Sequence, residues 1–179
     1  MRKKGTLREP LMVIGPSIAY IVLTKGQFAT VDADNAAFLS QWNWNAKWYT
    51  ATSSYYARRH TSVGGKEMTI PMHDEVFPTE TGSADHINRS TLDNRQANLR
   101  SASRFEQMRN QGLRRDSSSG FRGVSMHIGI GRWQAQICIK GQKKHLGYFA
   151  TKEETARAYD KAAKQFHGEF ASLNFKEAA

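Results

Sequence analysis

An α+β protein made of two small modules, each carrying an antiparallel sheet, is the fold class that the sequence predicts. Three observations lead there. Short β-rich runs recur around Gly-containing turns. Two helices are marked by capping boxes, Ser103 with Glu106 and Thr151 with Glu154. Between these helices residues 109–120, "RNQGLRRDSSSG", combine Gly, Ser and basic residues with few apolar ones, which is linker composition. The 179 residues allow one ordinary domain or two small ones, and 39% hydrophobic with 11% aromatic residues suffices to bury a core.

In chain order, "IAYIVLTKGQFATVD" (18–32) reads as two strands around a Lys25–Gly26 turn. "DNAAFLSQWNW" follows as a helix, with Asp34 as N-cap and Ala37, Phe38, Leu39 and Trp42 as its apolar stripe. "YYARRH" and "KEMTIPMH" flank Gly64–Gly65 as a second hairpin, and Pro71 to Phe77 forms a short helix. Next come "ADHI" as a strand, a polar loop, "NLRSA" as a second strand and "SRFEQMRNQ" as a helix. Beyond the linker, "GFRGVSMHIGIGRWQAQICIKGQKKHLGYFA" offers three strands separated by "GIG" and "KGQ" turns. "TKEETARAYDKAAKQFHG" is a helix with Ala156, Tyr159, Ala163 and Phe166 on one face and Gly168 as its C-terminal stop. No internal repeat is visible.

Charge points to the partner class. Lys and Arg number 26 against 16 Asp and Glu, a net charge of +10 with a pI near 9.9, which suits a polyanion. No apolar run approaches the ~20 residues of a membrane span. The start, "MRKKGTLREPLMVIGPSIAYIVL", is basic and then apolar, but Arg8, Glu9, Pro10, Gly15, Pro16 and Ser17 interrupt it, so no secretory leader is expected. The single cysteine, Cys138, excludes an internal disulfide and a Cys-pair zinc site, and a reducing cytoplasm is the expected compartment.

The charge is also segregated. From Ser117 to Thr151 there is no Asp or Glu, while Arg122, Arg132, Lys140, Lys143 and Lys144 all fall there. Strand alternation sends Trp133, Ala135, Ile137 and Ile139 towards the helix and Arg132, Gln134, Gln136, Cys138 and Lys140 away from it. Arg and Gln on one strand face suit a major groove, where Arg bridges guanine acceptors and Gln pairs with adenine. An ordinary solvated sheet face alternates in the same way, so both readings stand at this point. The motifs "FRGV", "RWQAQI", "LGYFAT", "EETARAYDKAA" and "LNF" follow one another in the order of the plant ethylene-response-factor (Apetala-type, AP2/ERF) DNA-binding domain, which this segment closely resembles. The resemblance implies a three-stranded antiparallel sheet packed on one helix, with the sheet in the major groove of double-stranded DNA. Carried over by position, Arg122, Gly123, Ser125, His127, Arg132, Gln136, Lys143 and His145 would touch DNA. Several plant contact positions are Arg or Trp, whereas Ser125, His127, Cys138 and His145 are not, so the docking mode is expected to carry over and the target sequence is not.

Asp85–His86 can be a turn or capping Asp beside a half-buried His. It can also be half of a phosphodiester-cleaving site, in which a carboxylate holds a hard cation and a near-neutral base activates water. Adjacent strand residues point to opposite faces, so the second reading needs a bend at 85–86. "YYARR", "IPMH", "DHINRSTLDNRQANLR" and a trailing "RN" resemble, over roughly residues 48–112, the HNH nucleases of the homing-endonuclease type. That resemblance implies a ββα-metal module in which Asp85 binds Mg²⁺ (Mn²⁺ able to substitute), His86 is the general base and Asn98 braces the loop. The last motif residue aligns with Gln107, a departure from the family's Asn or His. Asn110 lies on the same helix face, and Asp74 follows His73 where the family has a His-Arg pair.

The expected organisation is thus a lead-in over 1–47, an HNH module over 48–112, a linker over 113–119 and an Apetala-type domain over 120–179. The expected function is a monomeric, Mg²⁺-dependent DNA endonuclease with catalytic His86, Asp85 and Asn98 and metal ligands Asp85 and Gln107, addressed by the C-terminal sheet. It would work in the cytoplasm of a bacterial or phage-infected cell, without a membrane. The alternative is a sequence-specific DNA-binding regulator whose nuclease site has decayed. An RNA-binding protein is a third reading, set back because a sheet shaped for a B-form groove does not enter the narrow A-form one.

Overall fold

The computed structural model describes residues 11–12, 16–80, 82–110, 113 and 117–175. Most of the segment read for a secretory leader, and residues 114–116 of the expected linker, lie outside them. The chain divides into two compact units, Met1–Ser103 and Arg104–Ala179. The architecture is α+β with antiparallel sheets, the class expected. No helix among the described residues is long and apolar enough to cross a membrane.

In the first unit, β1 (Leu11–Met12), β2 (Ile18–Val22) and β3 (Phe28–Asp32) form one antiparallel sheet. The β2–β3 turn places Lys25 and Gly26 at left-handed φ of 61° and 65°, as the Lys–Gly pair predicts. Ala19 and Ile21 of β2 and Ala29 and Val31 of β3 share the buried face. Helix α1 (Ala33–Leu39) departs from expectation: its N-cap position is Asp32, Asp34 lies inside the first turn, and the buried side chains are Ala36 and Leu39. The Asp32 carboxylate caps nothing, because it accepts the Gln96 N–H at 2.7 Å. At the other end the buried Trp44 indole donates to the Leu39 carbonyl at 2.8 Å, satisfying an acceptor that the helix leaves open.

Strands β4 (Asn45–Tyr49), β5 (Ser54–Val63) and β6 (Lys66–Pro71) follow as a meander, with Gly64 and Gly65 at positive φ in the two-residue turn. Pro71 opens the short helix α2 (Met72–Val76), whose Met72 is fully buried. Strands β7 (Ser83–His86) and β8 (Leu99–Ala102) pair as an antiparallel hairpin. One core joins Leu39, Trp44, Ala46, Ala57, Met72, Val76, Ala84 and Leu99 to the first sheet.

The second unit begins with α3 (Arg104–Asn110) and continues with β9 (Val124–His127), β10 (Arg132–Ile139) and β11 (Gln142–Phe149), in the order β11-β10-β9, then α4 (Lys152–His167). The Thr151–Glu154 capping box is formed in both directions, and Gly168 ends α4 at φ 55°. Ala135 and Ile137 are buried against Ala156, Tyr159 and Ala163 of α4, as the alternation requires. Strand β10 meets β11 through a bulge: Ala135 pairs with Gly147 but Gln136 with His145, leaving Leu146 as the extra residue.

The closest approach in this unit is at Gly123, which sits at φ 69° directly against the Tyr159 ring and the Gln136 carbonyl. A side chain there meets both strain and collision. Gly123→Ala is therefore expected to destabilise the second unit by about 3 kcal/mol, from left-handed backbone strain together with overpacking. In a thermal melt of the full chain, the transition of that unit should fall by roughly 10–20 °C. An unshifted melt would mean that the strand and helix do not approach as described.

Candidate nucleic-acid interface

With the inner face of β10 covered by α4, its outer row is left to solvent: Arg132, Gln134, Gln136 and Cys138. Cross-strand pairing sets their neighbours. His127 lies opposite Arg132, Ser125 and Tyr148 flank Gln134, His145 lies opposite Gln136, and Lys143 opposite Cys138. Ser125, Arg132, Cys138, Lys143 and His145 are exposed; His127, Gln134 and Gln136 are half-buried. Lys144 has the other parity, and its ammonium stands 4.7 Å from the centroid of the Phe166 ring on the helix side.

Arg122 and Gly123 lie at the edge of this face and are tied into the packing. Asn174 holds the Arg122 backbone from both sides, accepting its N–H at 2.6 Å and donating to its carbonyl at 3.1 Å. The Asp160 carboxylate of α4 in turn accepts Asn174 N–H at 2.8 Å and Phe175 N–H at 2.9 Å. The Arg122 guanidinium hydrogen-bonds the Tyr159 hydroxyl, whose pKa burial pushes up and Arg122 pulls back. Six of the eight positions expected to touch DNA thus share one outward surface, and the other two fix the strand that carries it.

Gln134, outward as the alternation requires, and Tyr148 belong to the same face but are not among the eight positions carried over by resemblance. Simple alternation from Lys143 and His145 places Gly147 outward and Tyr148 inward. The bulge at Leu146 reverses that parity and turns Tyr148 out. Only the Gly147 within "HLGY" hints at it, through its φ of 134°.

The second locus is the β7–β8 hairpin. No bend occurs at 85–86: burial alternates along Ser83–His86, so Asp85 and His86 face opposite ways. Asp85 accepts from Arg100 directly across the hairpin, Nε at 3.2 Å and Nη2 at 3.1 Å. His86 is 5% exposed, packed against the rings of Tyr56 and His73, and its Nε2 meets Asn94 Oδ1 at 3.2 Å. Asn98 accepts the Asn88 N–H at 3.0 Å and donates to the Asp93 carbonyl at 2.7 Å, closing the intervening loop. Gln107 is on α3, in the second unit. Among the described residues no three His, Cys, Asp or Glu side chains gather where a metal ion would sit. Within the hairpin, the Asp85 carboxylate is ion-paired with Arg100 and the His86 ring lies on the opposite face.

No family model matches the chain. Over about a third of its length the chain is similar to plant proteins. It is 44% identical over 61 residues to an AP2-like ethylene-responsive transcription factor of Arabidopsis thaliana, covering 34% of this chain and 13% of that protein. To an AP2-like ethylene-responsive transcription factor of Oryza sativa subsp. japonica it is 49% identical over 71 residues, 35% of this chain and 11% of the relative. To APETALA2-like protein 2 of Oryza sativa subsp. indica it is 44% identical over 61 residues, 34% and 14%. The chain thus spans only a small part of the length of the relatives it matches.

These relatives correct two expectations. They are named as transcription factors and not as enzymes, which overturns the metal-dependent HNH endonuclease. The hairpin agrees with that correction, since Asp85 is committed to Arg100 and His86 is buried on the other face. They are also proteins of plants, which overturns the cytoplasm of a bacterial or phage-infected cell.

Burial of the two histidines has a measurable consequence. Burial pushes the His73 pKa down from 6.5 to about 4, with His86 adding repulsion, so its 3.6 Å contact with Asp74 is not an ion pair near neutrality. His86 is lowered as well, again by burial, against the opposing pull of Asn94, Asp85 and Asp93. A depressed histidine pKa means that the unfolded chain takes up protons which the folded chain refuses. Stability of the first unit is therefore complete above the ordinary value of 6.5 and declines as the pH falls towards about 4. His73 alone accounts for about 3 kcal/mol of that decline. Urea unfolding across this range should show the loss, and His73→Phe should flatten it; an equal acid slope in wild type and variant would disprove the assignment.

Proposed function

We propose that the chain is a DNA-binding regulator that recognises double-stranded DNA through the outer face of the β9–β11 sheet. The observation that carries this reading is the composition of that face. The exposed Arg132 and Lys143 share this face with the half-buried Gln134 and Gln136, in a segment free of Asp and Glu from Ser117 to Thr151. Lysine and arginine neutralise phosphates, whereas Gln and Arg side chains have the donors and acceptors to distinguish base edges in a major groove. The similarity to AP2-like transcription factors over a third of the chain supports the same reading. Of the expected contacts, Arg132, Gln136, Lys143, Ser125, His127 and His145 act from the face itself. Arg122 and Gly123 act at its edge, where their backbone is held rigid.

The test is binding of the full chain to a short labelled duplex as salt is raised. With about six phosphate contacts, affinity falls roughly 10³-fold between 50 and 200 mM salt. Lys143→Ala is expected to weaken binding to all sequences alike and to reduce the salt slope by about one. Duplex RNA of equal length should compete poorly, because its deep, narrow major groove excludes the sheet. A flat salt response, or RNA competing as well as DNA, would refute the proposal.

A further inference from the structure

The outer face holds a side-chain device that charge alone does not account for. The Leu146 bulge brings His145 and Tyr148 onto one surface although they lie three positions apart, an odd interval that would divide them in a regular strand. Gly147 makes this possible, since its φ of 134° is strained for any side chain and a Cβ there would press on the Phe149 ring. The His145 and Tyr148 rings then stand 4.6 Å apart, and Tyr148 meets His127 of β9 edge-on at 5.4 Å. From β10, the Gln134 amide nitrogen donates to His145 Nδ1 at 2.9 Å. One exposed imidazole is thereby held by a hydrogen bond from one strand and a ring that is itself braced by another.

Such bracing is unusual for an exposed histidine, whose side chain gains little stability from being fixed and loses rotamer freedom. It also sets the chemistry. With Nδ1 accepting from Gln134, the proton of the neutral ring sits on Nε2, so His145 offers a donor and not an acceptor. In a major groove that donor matches guanine N7 and O6, adenine N7 or thymine O4; N7 is the acceptor that every base pair presents, on its purine, whereas the cytosine edge presents only the N4 amino donor. Resting on the proposed DNA reading of the sheet, we propose that His145 is a specificity-determining side chain aimed at purine N7. Gln134 and Tyr148 are the positioning residues that hold it there. Lysine and arginine set the register of the sheet on the phosphates; this neutral cluster reads one base within it.

The experiment is selection of sites from a randomised duplex library by the full chain, followed by single 7-deazapurine substitutions in the selected site. One position is expected to show a purine preference and to lose about tenfold in affinity when N7 is removed. In His145→Ala that preference and the 7-deaza penalty should vanish, while preferences at other positions and the salt slope stay. Gln134→Ala should shrink the same penalty by several-fold. Tyr148→Phe, which keeps the ring contact, should retain the penalty where Tyr148→Ser reduces it. Thermal melts unchanged across these surface variants would support reading the losses as recognition and not folding. A 7-deaza penalty undiminished in His145→Ala, or an identical selected site in that variant, would overturn the assignment while leaving DNA binding intact. Wild type that binds duplex without salt dependence would instead sink the proposed function, and this inference with it.

Discussion

The packing of α4 on one face of β10 is the contact on which the second unit depends. Alanines at 156, 162 and 163 let the helix lie close, and Gly123 removes the side chain that would keep Tyr159 away. Both oxygens of the buried Asp160 carboxylate are satisfied by the chain end, which returns through Asn174 to clamp the Arg122 backbone. A buried carboxylate is costly unless it is hydrogen-bonded in this way, so the clasp both requires and fixes the path of residues 172–175. The result is a strand held by its two neighbours at the edges and packed from behind by the helix. Its outer side chains contribute little to stability and are available for recognition.

A comparable economy governs the first unit, where polar side chains do structural work. Asp93 is gripped by Arg95 through Nε at 2.8 Å and Nη2 at 2.7 Å and accepts from Asn88 at 2.9 Å, which draws its pKa down. The loop is then stitched to β3, with Thr30 N–H donating to the Leu92 carbonyl at 2.8 Å and Asn94 N–H to the Thr30 carbonyl at 2.7 Å. The carboxamides and arginines of "DHINRSTLDNRQANLR" thus close and brace a loop that has few backbone partners of its own. Reading that density of polar residues as chemistry is natural from sequence alone. The structure gives each of Asp93, Asn94 and Asn98 a neighbour to hold.

Legibility in the sequence followed the local determinants. The Lys25–Gly26, Gly64–Gly65 and Lys140–Gly141 turns and the Thr151 capping box depend on residues within four positions of one another, and all are formed. The alternation of β10 was equally plain because one face is almost wholly apolar. Where a long-range partner decides, local reading failed. Asp34 has the right chemistry for an N-cap, but the helix begins two residues earlier because β3 runs directly into it. Phe38 looks like core and is 45% exposed, since Ala36 and Leu39 face the sheet instead. Whether Asp85 and His86 cooperate or diverge depended on a bend that the cross-strand pairing with Arg100 and Leu99 does not allow.

The candidate interface illustrates the same division at the level of function. Its cationic members are visible in composition, because charge needs no partner to be counted. Among its neutral members, Tyr148 is visible only once the bulge is known, because a one-residue insertion changes which side chains share a face. The two groups also differ in what they can do. Cationic side chains such as Arg132 and Lys143 attract phosphates of any sequence, and that attraction is screened by salt. Gln134, His145 and Tyr148 exchange short, directional contacts that fix donors in space, and discrimination between bases depends on such fixed donors. On the proposed reading, a sheet that keeps the cationic side chains while carrying Ser125, His127 and His145 on the face would keep the mode of docking and change the address.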